Sequence, residues 1–301
     1  MTRISRLLSL LPVAALLLVA SPSMAAGWQK GDYGGNLTMT YYVPDNVDAN
    51  PALVMSLHYC SGSETSGQGW FQQFADKYGF MIISPKSPGN CWDASPGRTG
   101  DRAQIAMMID WAIKEHNVDP TRVFAAGASS GACLSETMLA SYPDKIAAAS
   151  VLAGVPVGFW MGGNECGVCS QQVASTDTAQ SWGDKVRNAG PMNFTGSRGR
   201  IQLFHAIQDQ YLGSGNLKVE VSQWTNALEA TGDGEETADM PRSGWTQTSY
   251  KNAAGVVVVQ SNWWANSPPM SHDLTSNINP PLWQDVVTFF GLDQDPAPAP
   301  S

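Results

Sequence analysis

Basic residues are scarce in this 301-residue chain: 17 lysines and arginines face 26 aspartates and glutamates, giving a formal net charge of −9 and a pI near 4.8. Such a balance repels phosphate backbones and anionic bilayers, so it speaks against nucleic-acid and membrane partners. Histidine is scarcer still, with His58, His116, His205 and His272 the complete set. Cys166-Gly-Val-Cys169 is the lone Cys-x-x-Cys, and no second such pair or histidine pair completes a zinc shell around it. Neither a metal nor a cofactor is therefore expected. After the first twenty residues no apolar run approaches the ~20 residues of a membrane span. Internal repeats and a mid-chain linker are also missing, which leaves one large domain with a substantial core.

The first residues carry Arg3 and Arg6, then an apolar run from Leu7 to Ala20, then Ser23-Met-Ala25-Ala26. That order of charged, apolar and small-residue regions reads as a secretory signal over residues 1–26, cleaved after Ala25 or Ala26. The expected product is secreted, extracellular or periplasmic, with a catalytic domain over 27–293 and a Pro/Ala-rich extended tail over 294–301. Five cysteines in an exported chain suggest two disulfides and one leftover thiol. Cys60 and Cys91 each follow a predicted strand, so their loops can meet at one sheet edge. Cys166 and Cys169 read as a local structural bridge, and Cys133 as a small buried hydrophobe. From spacing alone the pairing stays open.

The most informative feature is Val123-Phe-Ala-Ala-Gly127-Ala-Ser129-Ser-Gly131. An apolar strand runs into Gly-x-Ser-x-Gly and then a helical segment, which is the strand–turn–helix context of a nucleophile elbow presenting Ser129. The two glycines are expected to permit the sharp turn. Apolar runs predict strands at 37–43, 52–58, 80–84, 123–126, 147–153, 201–206 and 256–260. Helices are expected at 70–78, 101–115, 130–142, 220–228 and 282–290. In the second of these, Ile105, Met108, Ile109 and Ala112 share one face. Alternating strands and helices imply an α/β fold of the α/β-hydrolase pattern, with a mostly parallel sheet covered on both faces. The stretch from Gly158 to Arg200 reads as an irregular insertion over the site.

In that fold the acid and the histidine follow the nucleophile in the chain. His58 and His116 precede Ser129, so the base is His205 or His272. His205 lies inside an apolar strand, and Asp209 falls just past its end, where the acid is presented. Taking Asp209 as the acid leaves His272 as the base. Glu220, on a predicted helix, and Asp233, Glu235, Glu236 and Asp239, in an apparent acidic loop, are the competing acids. Ser129 would attack an ester carbonyl, His272 would take its proton, and Asp209 would orient the imidazole. The backbone N–H groups of Ser130 and Cys60 are the expected oxyanion donors.

The separated blocks Leu57-His-Tyr-Cys-Ser-Gly62, Ala75-Asp-Lys-Tyr-Gly-Phe80, Cys91-Trp-Asp93, Asp119-Pro-Thr-Arg-Val-Phe124, Gly127-Ala-Ser-Ser-Gly131, Trp182-Gly-Asp-Lys-Val-Arg187 and Gln223-Trp-Thr-Asn226 together resemble the secreted acetylxylan esterases of carbohydrate esterase family 1. That group is similar to feruloyl esterases and extracellular polyhydroxybutyrate depolymerases. The resemblance runs, with gaps, from about Leu37 to Leu292. It implies the same Ser129, Asp209 and His272, an oxyanion donor at Cys60, and a Cys60–Cys91 bridge. The family's usual His-Gly-Thr-x-Asp is here His205-Ala-Ile-Gln-Asp209, and its Gly-x-Gly-His is Pro-Met-Ser-His272. The implied substrate is an ester on a polysaccharide such as acetylated xylan. A feruloyl ester or a polyester is the alternative, and a catalytically silent carbohydrate-binding homologue the remote one. Trp92, Trp160, Trp263 and Trp264 are the tryptophans placed to stack on a sugar.

Overall fold

The computed structural model describes residues 27–159, 177–269, 271–275 and 282–294. Ten strands form one sheet: β1 (Trp28–Lys30), β2 (Met39–Tyr42), β3 (Leu53–Leu57), β4 (Met81–Pro85), β5 (Val123–Ala128), β6 (Ala148–Leu152), β7 (Arg200–Ala206), β8 (Thr231–Ala238), β9 (Trp245–Lys251) and β10 (Val257–Trp264). Their spatial order is β1-β2-β4-β3-β5-β6-β7-β10-β9-β8. The central run from β4 to β10 is parallel, and antiparallel strands close both sides. Six helices accompany it: α1 (Glu64–Tyr78), α2 (Gly100–His116), α3 (Ser130–Ser141), α4 (Ala179–Ala189), α5 (Asn216–Ala227) and α6 (Trp283–Phe290).

Two apolar layers follow from the two-residue period of the strands. Leu53, Met55 and Leu57 of β3 and Ile201 and Leu203 of β7 face Ile105, Ile109, Leu134, Val186 and Trp224 from the helices α2 to α5. Val54 and Phe204 face the other way, toward Phe71 and Phe74 of α1 and Trp283, Val286 and Phe290 of α6. Strands buried on both faces must be apolar almost throughout, which is why the central strands were legible as continuous runs. The α2 residues Ile105, Met108, Ile109 and Ala112 are all fully buried, as their spacing requires.

Three expectations change. The stretch from Gly158 to Arg200 is not irregular throughout, because α4 lies within it. That helix packs Trp182, Val186 and Ala189 inward beside α5, against the sheet face. Gln223 of α5 donates to the Trp182 carbonyl, and Arg187 donates to Asn226, so α4 is a core element, while residues 190–199 after it are turns and loop. The acidic residues Asp233, Glu235 and Glu236 lie on β8, a solvated edge strand held by backbone pairing with β9. Finally, β10 runs on through Asn262-Trp-Trp264 rather than stopping at Gln260. Among the described residues no helix is long and apolar enough to cross a membrane.

Candidate active site

Every residue singled out for chemistry follows the carboxyl end of a parallel strand: Cys60 after β3, Ser129 after β5, Asp209 after β7 and His272 after β10. Open α/β sheets gather their sites along that edge. The Ser129 turn is tight. Its φ and ψ are 54° and −122°, a region a side chain enters only when its surroundings enforce it. The enforcement is visible in the glycines on either side. A Cβ on Gly127 would sit 2.4 Å from the Gly131 carbonyl oxygen, and one on Gly131 would sit 2.0 Å from that of Leu57. Both glycines are therefore required by close approach, while the positive φ falls on the serine. The Ser129 N–H donates to the Leu152 carbonyl at 2.9 Å, which ties the elbow to β6.

Ser129 Oγ lies 3.0 Å from His272 Nε2, and His272 Nδ1 lies 2.8 Å from Asp209 Oδ2. The other carboxylate oxygen, Oδ1, accepts from the N–H groups of Tyr211 at 2.9 Å and Leu212 at 3.0 Å. Asp209 is 5% exposed. Burial works against its charge, but the neighbouring imidazoles of His205 and His272 outweigh burial and hold the carboxyl well below the usual carboxylate range. The loops carrying Asp209 and His272 are also laced together. Ile207 N–H donates to the Trp264 carbonyl, and Gln208 N–H donates to Ser267 Oγ at 3.0 Å.

Ser130 is the first residue of α3, so its N–H has no intrahelical acceptor and sits beside the serine. Cys60 lies in the facing loop after β3, and a disulfide joins it to Cys91 with the Cα atoms 4.3 Å apart. A buried aromatic pair stiffens the same loop. His58 Nδ1 donates to the Tyr59 carbonyl at 2.6 Å and its Nε2 accepts from Ser87 N–H at 3.1 Å. Burial lowers the His58 pKa, in keeping with a neutral ring that donates from one nitrogen and accepts at the other. Trp92 packs on His58 and donates its indole N–H to the His58 carbonyl at 2.8 Å.

Of the four tryptophans, Trp92 departs from expectation. Trp92 is 0% exposed and cannot meet a sugar; its surface is consumed by contacts in the loop after β3. Trp263 packs against the core, and Trp264 stacks on Trp245 with ring centroids 5.3 Å apart, so both are half-buried strand-end residues. Trp160, Cys166 and Cys169 lie outside the described residues. The exposed aromatics at this edge are instead Tyr211, 55% exposed with its ring 5.2 Å from that of His272, and Tyr59, beside Cys60. Tyr211 sits two residues past Asp209, in a loop that no tryptophan marks in the sequence. Cys133 is a buried thiol within α3. Among the described residues no cluster of three or more histidine, cysteine or carboxylate side chains could hold a metal ion. A cleft of about 900 Å³ lies at the opposite end of the sheet, lined by Asn188, Met192, Phe194, Arg198 and Glu229. Chemistry rather than cavity size singles out the strand-end site.

A parallel sheet with helices on both faces, a serine on a strained elbow and a histidine and carboxylate in line behind it define an α/β-hydrolase of the serine esterase type. The chain belongs to the family described as esterase PHB depolymerase, whose model matches residues 37–196. It is 35% identical over 258 residues to feruloyl esterase B of Thermothelomyces thermophilus, covering 77% of this chain and 86% of that one. Acetylxylan esterase A of Emericella nidulans is 33% identical over 246 residues, covering 75% and 80%. Among solved structures, an acetyl xylan esterase from Aspergillus awamori superposes with a TM-score of 0.76 at 27% identity, covering 88% of this chain and 99% of that one.

Proposed function

We propose that this esterase is exported and removes acetyl groups from xylan or a related plant polysaccharide through an acyl-serine intermediate. Ser129 Oγ attacks the ester carbonyl while His272 Nε2 takes its proton. Asp209 orients the imidazole and stabilises its charged form. The tetrahedral oxyanion is met by the N–H groups of Ser130 and Cys60. The protonated His272 then donates to the departing sugar hydroxyl. Water, deprotonated by the same histidine, releases acetate and restores the serine. The observation that carries this reading is the unbroken run of contacts from Ser129 Oγ through His272 to Asp209 Oδ2, at 3.0 and 2.8 Å. That geometry also argues against a silent binding protein. Tyr211 and Tyr59 are the rim aromatics on which a sugar ring would rest. Residues 1–26 would serve as the export signal.

The acetyl preference is supported by the acetylxylan esterases among the relatives and by the structural neighbour of that activity. The feruloyl esterase at 35% identity favours a second reading with the same machinery and a larger acyl group. Acetate, ferulate and hydroxybutyrate release should be measured side by side at equal ester concentration. Acetate from acetylated xylan is expected to lead; faster ferulate release would replace the first reading with the second.

A further inference from the structure

His205 takes no part in the proton path above, although it is a fully buried imidazole next to it. The rest of its strand is apolar at the neighbouring positions Leu203, Phe204 and Ala206, all buried. A polar ring in such a place destabilises the fold unless something pairs with it. His205 Nε2 lies 3.2 Å from Asp209 Oδ2, the same oxygen that His272 Nδ1 approaches, and neither side chain of the His205–Asp209 pair is exposed. The approach falls short of full hydrogen-bond alignment, and among the described residues no other group partners either His205 nitrogen. The carboxylate is therefore the polar neighbour that explains the ring.

We propose that His205 is a positioning residue for ester hydrolysis, holding Asp209 Oδ2 in place and drawing off part of its charge, so that His272 is oriented without being locked as imidazolium. The inference rests on the catalytic roles proposed above. The backbone donors of Tyr211 and Leu212 occupy Oδ1, so without His205 the oxygen Oδ2 would be left to His272 and would pull more strongly toward the charged ring, and only a neutral ring can act as base. A second N–H on the same oxygen offsets part of that pull. Among the described residues the ion-pair partners of Asp209 are these two histidines. Tyr211 lies against His272 on the outer side, Asp273 follows it in exposed loop, and Ser129 faces its other nitrogen. Glu136 and Glu220 are buried on α3 and α5.

The test is the pH dependence of kcat and KM toward a small acetate ester for His205→Phe, His205→Gln and His205→Asn. Phenylalanine keeps the ring and removes the donor. It should move the acid limb of the kcat profile upward by about 0.5 to 1 pH unit and lower kcat about tenfold with KM little changed. Glutamine, whose amide nitrogen reaches the place of Nε2, should restore the wild-type limb, and the shorter asparagine should not. A wild-type profile in His205→Phe overturns the proposal. If that variant does not fold, identical profiles for the glutamine and asparagine variants overturn it instead. Ser129→Ala and His272→Ala, assayed alongside, keep the two readings apart: activity surviving in His272→Ala would refute the triad itself, whereas inactive triad variants beside an unshifted His205→Phe would refute only the role of His205.

Discussion

Asp209 and Glu220 are both buried acids, 5% and 1% exposed, yet their surroundings shift their pKa values in opposite directions. Asp209 accepts from two backbone N–H groups and has two imidazoles against its other oxygen, so it is held ionised. Glu220 on α5 has no such company. Its Oε1 is buried without a hydrogen-bond partner among the described residues, and burial pushes its pKa up. Glu136 on α3 fares similarly: burial, followed by the charge of Glu220, raises its pKa well above the ordinary value, and the indole N–H of Trp224, 3.1 Å from Oε2, offsets little. Burial penalises charge at both places, so the donors around each carboxyl decide the outcome. Only the first of these acids is built to stabilise a cation on a histidine, which separates the catalytic candidate from a structural pair.

The largest expected effect concerns the nucleophile and base. Ser129→Ala and His272→Ala should each lower kcat by roughly 10⁴- to 10⁶-fold, and the double variant should lose little more, because the two act as one unit. Losses that multiply in the double variant would show that they act separately. A smaller effect is expected at the oxyanion loop. Mild reduction of Cys60–Cys91 should lower turnover by about ten- to a hundredfold before the far-ultraviolet circular dichroism changes, since a displacement of ~1 Å is already costly. Unchanged turnover after complete reduction would remove the disulfide from the account.

The smallest effect belongs to the second acid centre, and its sign follows from proton binding. A carboxyl with a raised pKa binds more protons folded than unfolded, so its contribution to stability is fully present below the unfolded value and is lost as pH rises through the folded value. Chemical denaturation should therefore show stability declining above the ordinary carboxylate range, and Glu220→Gln should flatten that decline while leaving turnover near wild type. An unaltered slope in the glutamine variant would mean that Glu220 is ionised in the folded protein.

Much of this comparison was legible in the sequence, for a definite reason. The elbow, the acid after β7 and the lone histidine behind it are fixed by chain order and by apolar strands that end where the site begins. Glu220 stayed in contention because a sequence does not reveal which buried acid meets an imidazole. The helix α4 escaped notice because Gly183 interrupts its apolar face of Trp182, Val186 and Ala189. The strand β8 escaped because its two glycines and three acids carry no apolar alternation and only pairing with β9 extends it. Trp92 was misjudged for a related cause: whether an indole faces substrate or core depends on a partner 34 residues away, the His58 carbonyl.

The rate at which a fluorophosphonate labels Ser129 tests the central claim most directly, because it reads serine activation without product release or polymer binding. Mass spectrometry should place the label on Ser129, with Asp209→Asn slowing labelling by roughly 10²- to 10⁴-fold and Glu220→Gln leaving it at the wild-type rate. Labelling that is undiminished in Asp209→Asn, or that collapses in Glu220→Gln, would contradict the assignment of Asp209 as the acid of this site.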